Sequence, residues 1–125
     1  MSYEQVDKVL VVEISGRQFG FDLDDVTEVQ RAAALSPLAG APEIVLGILD
    51  LRGEIVPVVD VRRRFSLESR QIEPDDFYVV VRIDARRVIF PVNETAGIVD
   101  ADELELRPAP ERPASAGYVE AVGRS

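Results

Sequence analysis

The chain contains no cysteine, no histidine and no tryptophan among its 125 residues. Without cysteine there is no disulfide framework and no thiolate chemistry. Without histidine, zinc sites of the usual Cys/His type are excluded, as are imidazole acid–base catalysis and His-activated nucleophiles. An all-carboxylate magnesium or calcium site is the metal class that composition leaves open. Positive charge is also scarce: 14 Lys and Arg stand against 23 Asp and Glu, a net charge of −9. A nucleic-acid binder needs a basic stripe, and here only Arg62–Arg64 and Arg86–Arg87 cluster. Three Tyr and no Trp make a poor stacking platform for single strands. The same charge balance argues against docking on an anionic membrane. No apolar run approaches the ~18 residues of a membrane span. The opening MSYEQVDKVL lacks the basic-then-apolar order of a signal peptide. With neither targeting signal nor cysteine, the cytoplasm is the expected location.

What is present fits one globular domain, residues 1–125, at 46% hydrophobic and 30% charged residues. Val9–Ile14 is an apolar-rich run with Glu13 as its one charge. A turn over Ser15–Gln18 follows, then Phe19, Phe21 and Leu23 alternate with Gly20 and Asp22, the period of a half-buried strand. Residues 32–42 are small and broken by Pro37, Gly40 and Pro42, so they form a connection. Pro42 is well placed to start one helical turn over Glu43–Leu46. Residues 66–76 are polar, contain Pro74 and mark a candidate boundary between subdomains. Phe77–Ile83 and Val88–Val92 are strands around a turn at Asp84–Arg87. Residues 100–105 suggest a short acidic turn, 107–117 an extended Pro-rich connection, and Tyr118–Val122 a last apolar segment. Short runs between turns, with no long amphipathic helix, point to an all-β fold.

The most specific stretch is Gly47–Phe65, GILDLRGEIVPVVDVRRRF. Two apolar runs, Ile48–Leu51 and Ile55–Val59, flank Arg52–Gly53. Gly53 reaches positive φ without steric cost, so a tight reversal is expected there. Pro57 brings no N–H to a ladder, which places its strand at an edge or beside a bulge. Arg52 then sits at a hairpin rim among apolar neighbours. Three adjacent charges on a strand alternate faces, so Arg62–Arg64 cannot converge on a phosphate, and a solvated strand end is expected.

An internal repeat runs at an offset of 69. Val11, Val12 and Ile14 fall on Val80, Val81 and Ile83. Phe19, Phe21 and Leu23 fall on Val88, Phe90 and Val92, and Val29 falls on Ile98. Chance likeness between β-hairpins is the plain alternative to a duplication, which would give two related small barrels. In the second copy Tyr118–Ser125 sits where Val45–Leu51 would be, and nothing corresponds to Gly53–Val59. The second unit therefore lacks its last strand in this reading.

With repeat and hairpin together, the chain resembles the CheW family of bacterial chemotaxis coupling proteins from about Val9 to Val122. The strongest match is G-x-x-x-L-R-G-x-x-x-P-V-x-D-x-R, carried by Gly47, Leu51, Arg52, Gly53, Pro57, Val58, Asp60 and Arg62. V-x-E-V at Val26–Val29 supports it. The resemblance implies two intertwined SH3-like five-stranded β-barrels, approximately residues 9–65 and an incomplete 77–125. It implies no catalytic activity, no cofactor and no metal. It implies a cytoplasmic scaffold at membrane receptor arrays, joining chemoreceptor signalling tips to the regulatory domain of the histidine kinase CheA. The chain departs from the family's pattern at Asp50 (usually Asn), Ile89 (usually Gly) and Val92–Asn93 (usually Val-Asp).

Carried over by residue, Arg52 and Glu28 lie together at the receptor-facing groove. Val26, Val29, Ile48 and Leu51 are candidates for its apolar floor, with ordinary core as their plainer role. Gly47, Gly53 and Pro57 serve backbone geometry. Asp22, Asp24, Asp25 and Glu28 are thinkable as a metal or acid–base cluster, but catalysis needs a shielded pocket with shifted pKa values. The alternatives are a CheW-like domain of another signalling system or a longer protein, and a small ligand-binding barrel, which a deep polar pocket would favour.

Overall fold

The computed structural model describes residues 7–64, 67, 71–108 and 118–123. Among these residues ten strands follow one another: β1 Lys8–Ile14, β2 Arg17–Asp22, β3 Val26–Arg31, β4 Val45–Leu51, β5 Glu54–Val59, β6 Phe77–Ile83, β7 Arg86–Val92, β8 Glu94–Asp100, β9 Leu104–Pro108 and β10 Tyr118–Gly123. One short helix, α1 Val61–Arg64, follows β5. The strands form two five-stranded sheets, ordered β8-β1-β2-β10-β9 and β3-β6-β7-β5-β4.

The repeat is visible in the elements. β1 and β6 begin and end 69 residues apart, and each pairs antiparallel with the strand that follows it. Each hairpin has crossed over. β1–β2 joins strands of the second half, and β6–β7 joins strands of the first. The division at 9–65 and 77–125 is thus not the division between sheets. The polar loop divides the chain, whereas strand pairing is settled by which apolar faces meet.

Core packing explains why β1 and β6 are apolar almost throughout. Leu10, Val12 and Ile14 of β1 meet Val79 and Val81 of β6, with Phe19, Phe21, Phe90, Val92 and Val61, in the layer between the sheets. The alternate residues of β6, Tyr78 and Val80, turn instead to Leu51, Val56, Val58 and Ile89 inside the second sheet. Val9 and Val11 of β1 face Val99 and Ala101 on the far side of the first. Strands covered on both faces have no polar side to alternate with. Tyr78 is fully buried and donates its phenol to the Ala33 carbonyl at 2.6 Å. Burial pushes that phenol's pKa up, keeping it a neutral donor.

Several local expectations change. Glu43 and Ile44 form only a turn, and the strand starts at Val45. Ala101–Glu103 makes a 3₁₀ turn, but Leu104–Pro108 is β9 rather than connection; residues 109–117 lie outside those described. β5 is not an edge strand, since it lies between β4 and β7. Pro57 stands instead beside the expected bulge, since the β4–β5 register is irregular between Val45 and Gly47, next to the Ile48–Pro57 pair. Its partner across β4–β5 is Ile48, whose N–H and C=O are both engaged by Ser36 on the far edge. The Pro57 nitrogen therefore faces β7, and pairing with β7 is a single parallel bridge at Val58↔Ile89. No ladder bond is lost there.

The two sheets differ at this seam. β9 pairs Glu105 with Val122 of β10, as Ser36 bridges Ile48 of β4, and the offset of 69 places Glu105 on Ser36. β10 is thus the counterpart of β4. It runs antiparallel directly beside β2, where β5 runs parallel beside β7. In the first sheet β10 itself stands where β5 stands in the second, and among the described residues no further strand is the counterpart of β5.

Candidate functional site

The turn at Arg52–Gly53 has positive φ at both residues, 53° and 93°, the two-residue reversal whose twist suits a hairpin. The Asp50 carboxylate accepts from the Gly53 N–H at 2.7 Å and closes the turn. An Asn oxygen would serve equally, so the departure at Asp50 costs the turn nothing. Holding a non-glycine side chain at such φ costs about 1–2 kcal/mol. The hairpin bears this strain and presents the Arg52 side chain, 78% exposed.

β3 lies at one edge of its sheet. The sheet curls far enough for that edge strand to meet the hairpin turn, and Arg52 Nη2 donates to Glu28 Oε1 at 2.7 Å. The expected pair is present. A further member was not foreseen. Arg87, at the start of β7, donates through Nε to Glu54 Oε1 at 3.0 Å, bonds the same oxygen through Nη2, and brings Nη1 to 3.6 Å from Glu28 Oε1. Arg52, Glu28, Arg87 and Glu54 thus form one charge-balanced cluster drawn from β3, β5, β7 and the hairpin turn. The Arg87 hydrogen bond, with help from Arg82, holds the Glu54 carboxyl below its ordinary value, and Glu54 raises the Arg87 guanidinium in return. The linkage has a definite sign. A lowered carboxylate pKa favours folding above the unfolded value, and this contribution is lost as pH falls through the folded one. In sequence, Arg86–Arg87 showed only as a basic pair near a turn; contact with Glu28 depends on sheet order.

The apolar candidates separate. Leu51 is buried in the core of the second sheet, so it supports the hairpin and offers no contact surface. Val26 is half-buried against the layer between the sheets. Ile48 is half-buried on β4, and Val29 is exposed on β3. Val29 is the one of the four that is exposed, and Ile48 keeps part of its surface open. On the outer face of the hairpin Ile55, 58% exposed, lies across from Asp50. Gly47 is required by contact: a Cβ there would stand 2.7 Å from the Ser36 carbonyl. Gly53 has open space around it and is required by its φ alone.

Arg62 is not a solvated strand end. It is buried within α1, whose first turn is closed by Asp60 Oδ1 accepting from the Arg62 N–H at 3.0 Å. Its Nε donates to Ser15 Oγ at 3.0 Å and its Nη2 to Asn93 Oδ1 at 3.2 Å. Asn93 Oδ1 also accepts from the Ser15 N–H at 2.7 Å. The D-x-R end of the motif is thus a clamp across the two sheets. The change from strand to helix at Val61 redirects the side chain, which the run of charges alone does not reveal.

Among the described residues, those around the 3₁₀ turn Leu23–Asp25 included, no three acidic side chains are grouped to hold an ion. Burial, reinforced by repulsion from Asp24, raises the Asp22 and Asp25 carboxyls. A groove of about 920 Å³ runs between Ala32–Leu35, Leu46, Gln71–Pro74 and Tyr78. Its walls are mostly apolar and the Tyr78 phenol is already engaged, unlike the convergent polar groups a small-ligand site uses.

Two interleaved β-sheets, with a charge cluster that displays Arg52 at the surface, define an all-β module. The chain belongs to the CheW-like domain family, whose model matches residues 8–125. It is 26% identical over 102 residues to chemotaxis protein CheW of Klebsiella aerogenes, covering 82% of this chain and 61% of that protein. It is 23% identical over 105 residues to CheW of Bacillus subtilis, covering 84% and 67%. The crystal structure of the scaffolding protein TtCheW from Thermoanaerobacter tengcongensis superposes with a TM-score of 0.72 at 26% identity, covering 83% of this chain and 69% of that one. The chain thus spans about two thirds of the length of the relatives it matches. No helix among the described residues is long and apolar enough to cross a membrane.

Proposed function

We propose that this domain is a non-catalytic chemotaxis adaptor that couples chemoreceptor signalling tips to the regulatory domain of the histidine kinase CheA. It would work in the cytoplasm, at receptor arrays, reaching the membrane only through its partners. Family membership supports the class. The observation that carries the docking site is the Arg52–Glu28 pair, held at 2.7 Å with the Arg52 side chain 78% exposed. Such a pair contributes roughly 0–1 kcal/mol to stability, so bearing backbone strain to display it makes sense as partner recognition. A receptor tip is a helical hairpin and would lie against β3 and the β4–β5 turn, with Val29 and Ile48 as its apolar contacts.

The test is capture of purified receptor tip and, separately, of the CheA regulatory domain. Arg52→Ala is expected to weaken tip binding about tenfold, a loss of ~1.4 kcal/mol, with CheA binding and thermal unfolding nearly unchanged. Tip binding equal to that of the parent chain, or a collapse of melting, would overturn the assignment.

A further inference from the structure

We infer that Arg87 is a positioning residue for the Arg52 contact, a standby cation that takes over Glu28 when Arg52 turns to a partner. The inference rests on the docking reading above and adds a residue to it.

The three side chains differ in what they are free to do. Arg52 is 78% exposed and is held to the described residues only through Nη2. Glu28 and Arg87 are much less exposed, at 23% and 18%. Arg87 is fixed by two of its nitrogens, Nε and Nη2, on Glu54 Oε1. The planar fork then leaves Nη1 directed at Glu28 Oε1, 3.6 Å away. That is an ion-pair contact but longer than a charge-assisted hydrogen bond, which forms at about 2.7–2.9 Å.

Engaging a partner through Arg52 takes the cation from a carboxylate that is largely withdrawn from water. A desolvated charge without a counter-charge opposes that step. Arg87 removes the obstacle, because a shift of under about 1 Å converts its long contact with Glu28 into a hydrogen bond. Glu54 keeps the guanidinium aimed throughout. The cluster therefore has two arrangements, with Glu28 held by Arg52 or by Arg87. The partner chemistry that draws Arg52 away is a carboxylate or carbonyl oxygen on the docking helix, since guanidinium has only donors to offer. Gln18 stands at the corresponding position of the first repeat, so this cation belongs to the second copy alone.

The experiment is a double-mutant cycle on affinity for a purified receptor-tip helical hairpin, using the full chain, Arg52→Ala, Arg87→Gln and the double variant. Arg87→Gln is expected to weaken tip binding about fivefold when Arg52 is present and to change nothing when it is absent. Its melting should stay close to that of the parent chain, while the Glu54 carboxyl, followed by NMR, returns towards its ordinary value of 4.5. Arg87→Lys keeps a cation beside Glu28 without the fork, so it should recover part of the lost affinity. Unchanged affinity in Arg87→Gln, or an equal loss in the Arg52→Ala background, overturns the standby role while leaving the docking site standing. If Arg52→Ala itself binds the tip as tightly as the parent chain, the docking reading fails and the standby role fails with it.

Discussion

Arg62→Ala is expected to lower the unfolding free energy by about 2–4 kcal/mol, the sum of lost charge-assisted hydrogen bonds and lost packing of the stem. Arg62 is 2% exposed, and its guanidinium reaches the β1–β2 turn at Ser15 and the bend at Asn93 from the far end of β5. The Ser15 backbone has φ 52°, a conformation the surrounding bonds must hold in place. Removing the guanidinium leaves Ser15 Oγ without this donor and reduces Asn93 Oδ1 to the Ser15 N–H. Arg62→Met keeps the stem and should lose roughly half as much. Denaturant unfolding of both variants decides the matter. A loss below about 0.5 kcal/mol in Arg62→Ala, the level of ordinary surface substitutions, would mean that the clamp does not join the sheets.

Gly47→Ala is expected to cost about 1–3 kcal/mol by overpacking. The added methyl meets the Ser36 carbonyl at 2.7 Å and Leu35 Cβ at 3.0 Å. A backbone oxygen cannot swing aside as a flexible side chain can. Ser36 exchanges two bonds with Ile48, N to O at 3.0 Å and 2.8 Å, so the segment must leave the edge of β4 or pull β4 with it. Hydrogen exchange at the Ser36 and Ile48 amides should accelerate together with the drop in stability. If both amides stay protected and stability is unchanged, the close approach is not what requires glycine there. β4 leads directly into the Arg52 turn, so the same change should also loosen the docking hairpin.

The parts of this fold that were legible in the sequence are those set by local chemistry. The Arg52–Gly53 reversal follows from glycine between two apolar runs. β1 and β6 followed from runs of Val and Ile, and their kinship from a repeat that keeps its register through two hairpins. β3 and β8 were harder to see, because exposed and half-buried residues mix along them and neither run is apolar. β9 was hidden by its charges and by the prolines that follow it. Which hairpin enters which sheet is fixed only when Val12, Phe19, Val79 and Phe90 meet in one layer. The site divided along the same line. Glu28 and Arg52 came from a motif, whereas Arg87 came from a crossover that no spacing records. Leu51 lies beside Arg52 in sequence but alternates to the opposite face, into the core.

Partner recognition is proposed at the β3 edge and the β4–β5 turn. Hydrogen-exchange footprinting of the chain with and without a purified receptor-tip hairpin tests it most directly. New protection is expected to be confined to residues 26–31 and 48–55, with β8 unchanged. Protection on β8, with none at Glu28 or Arg52, would contradict it.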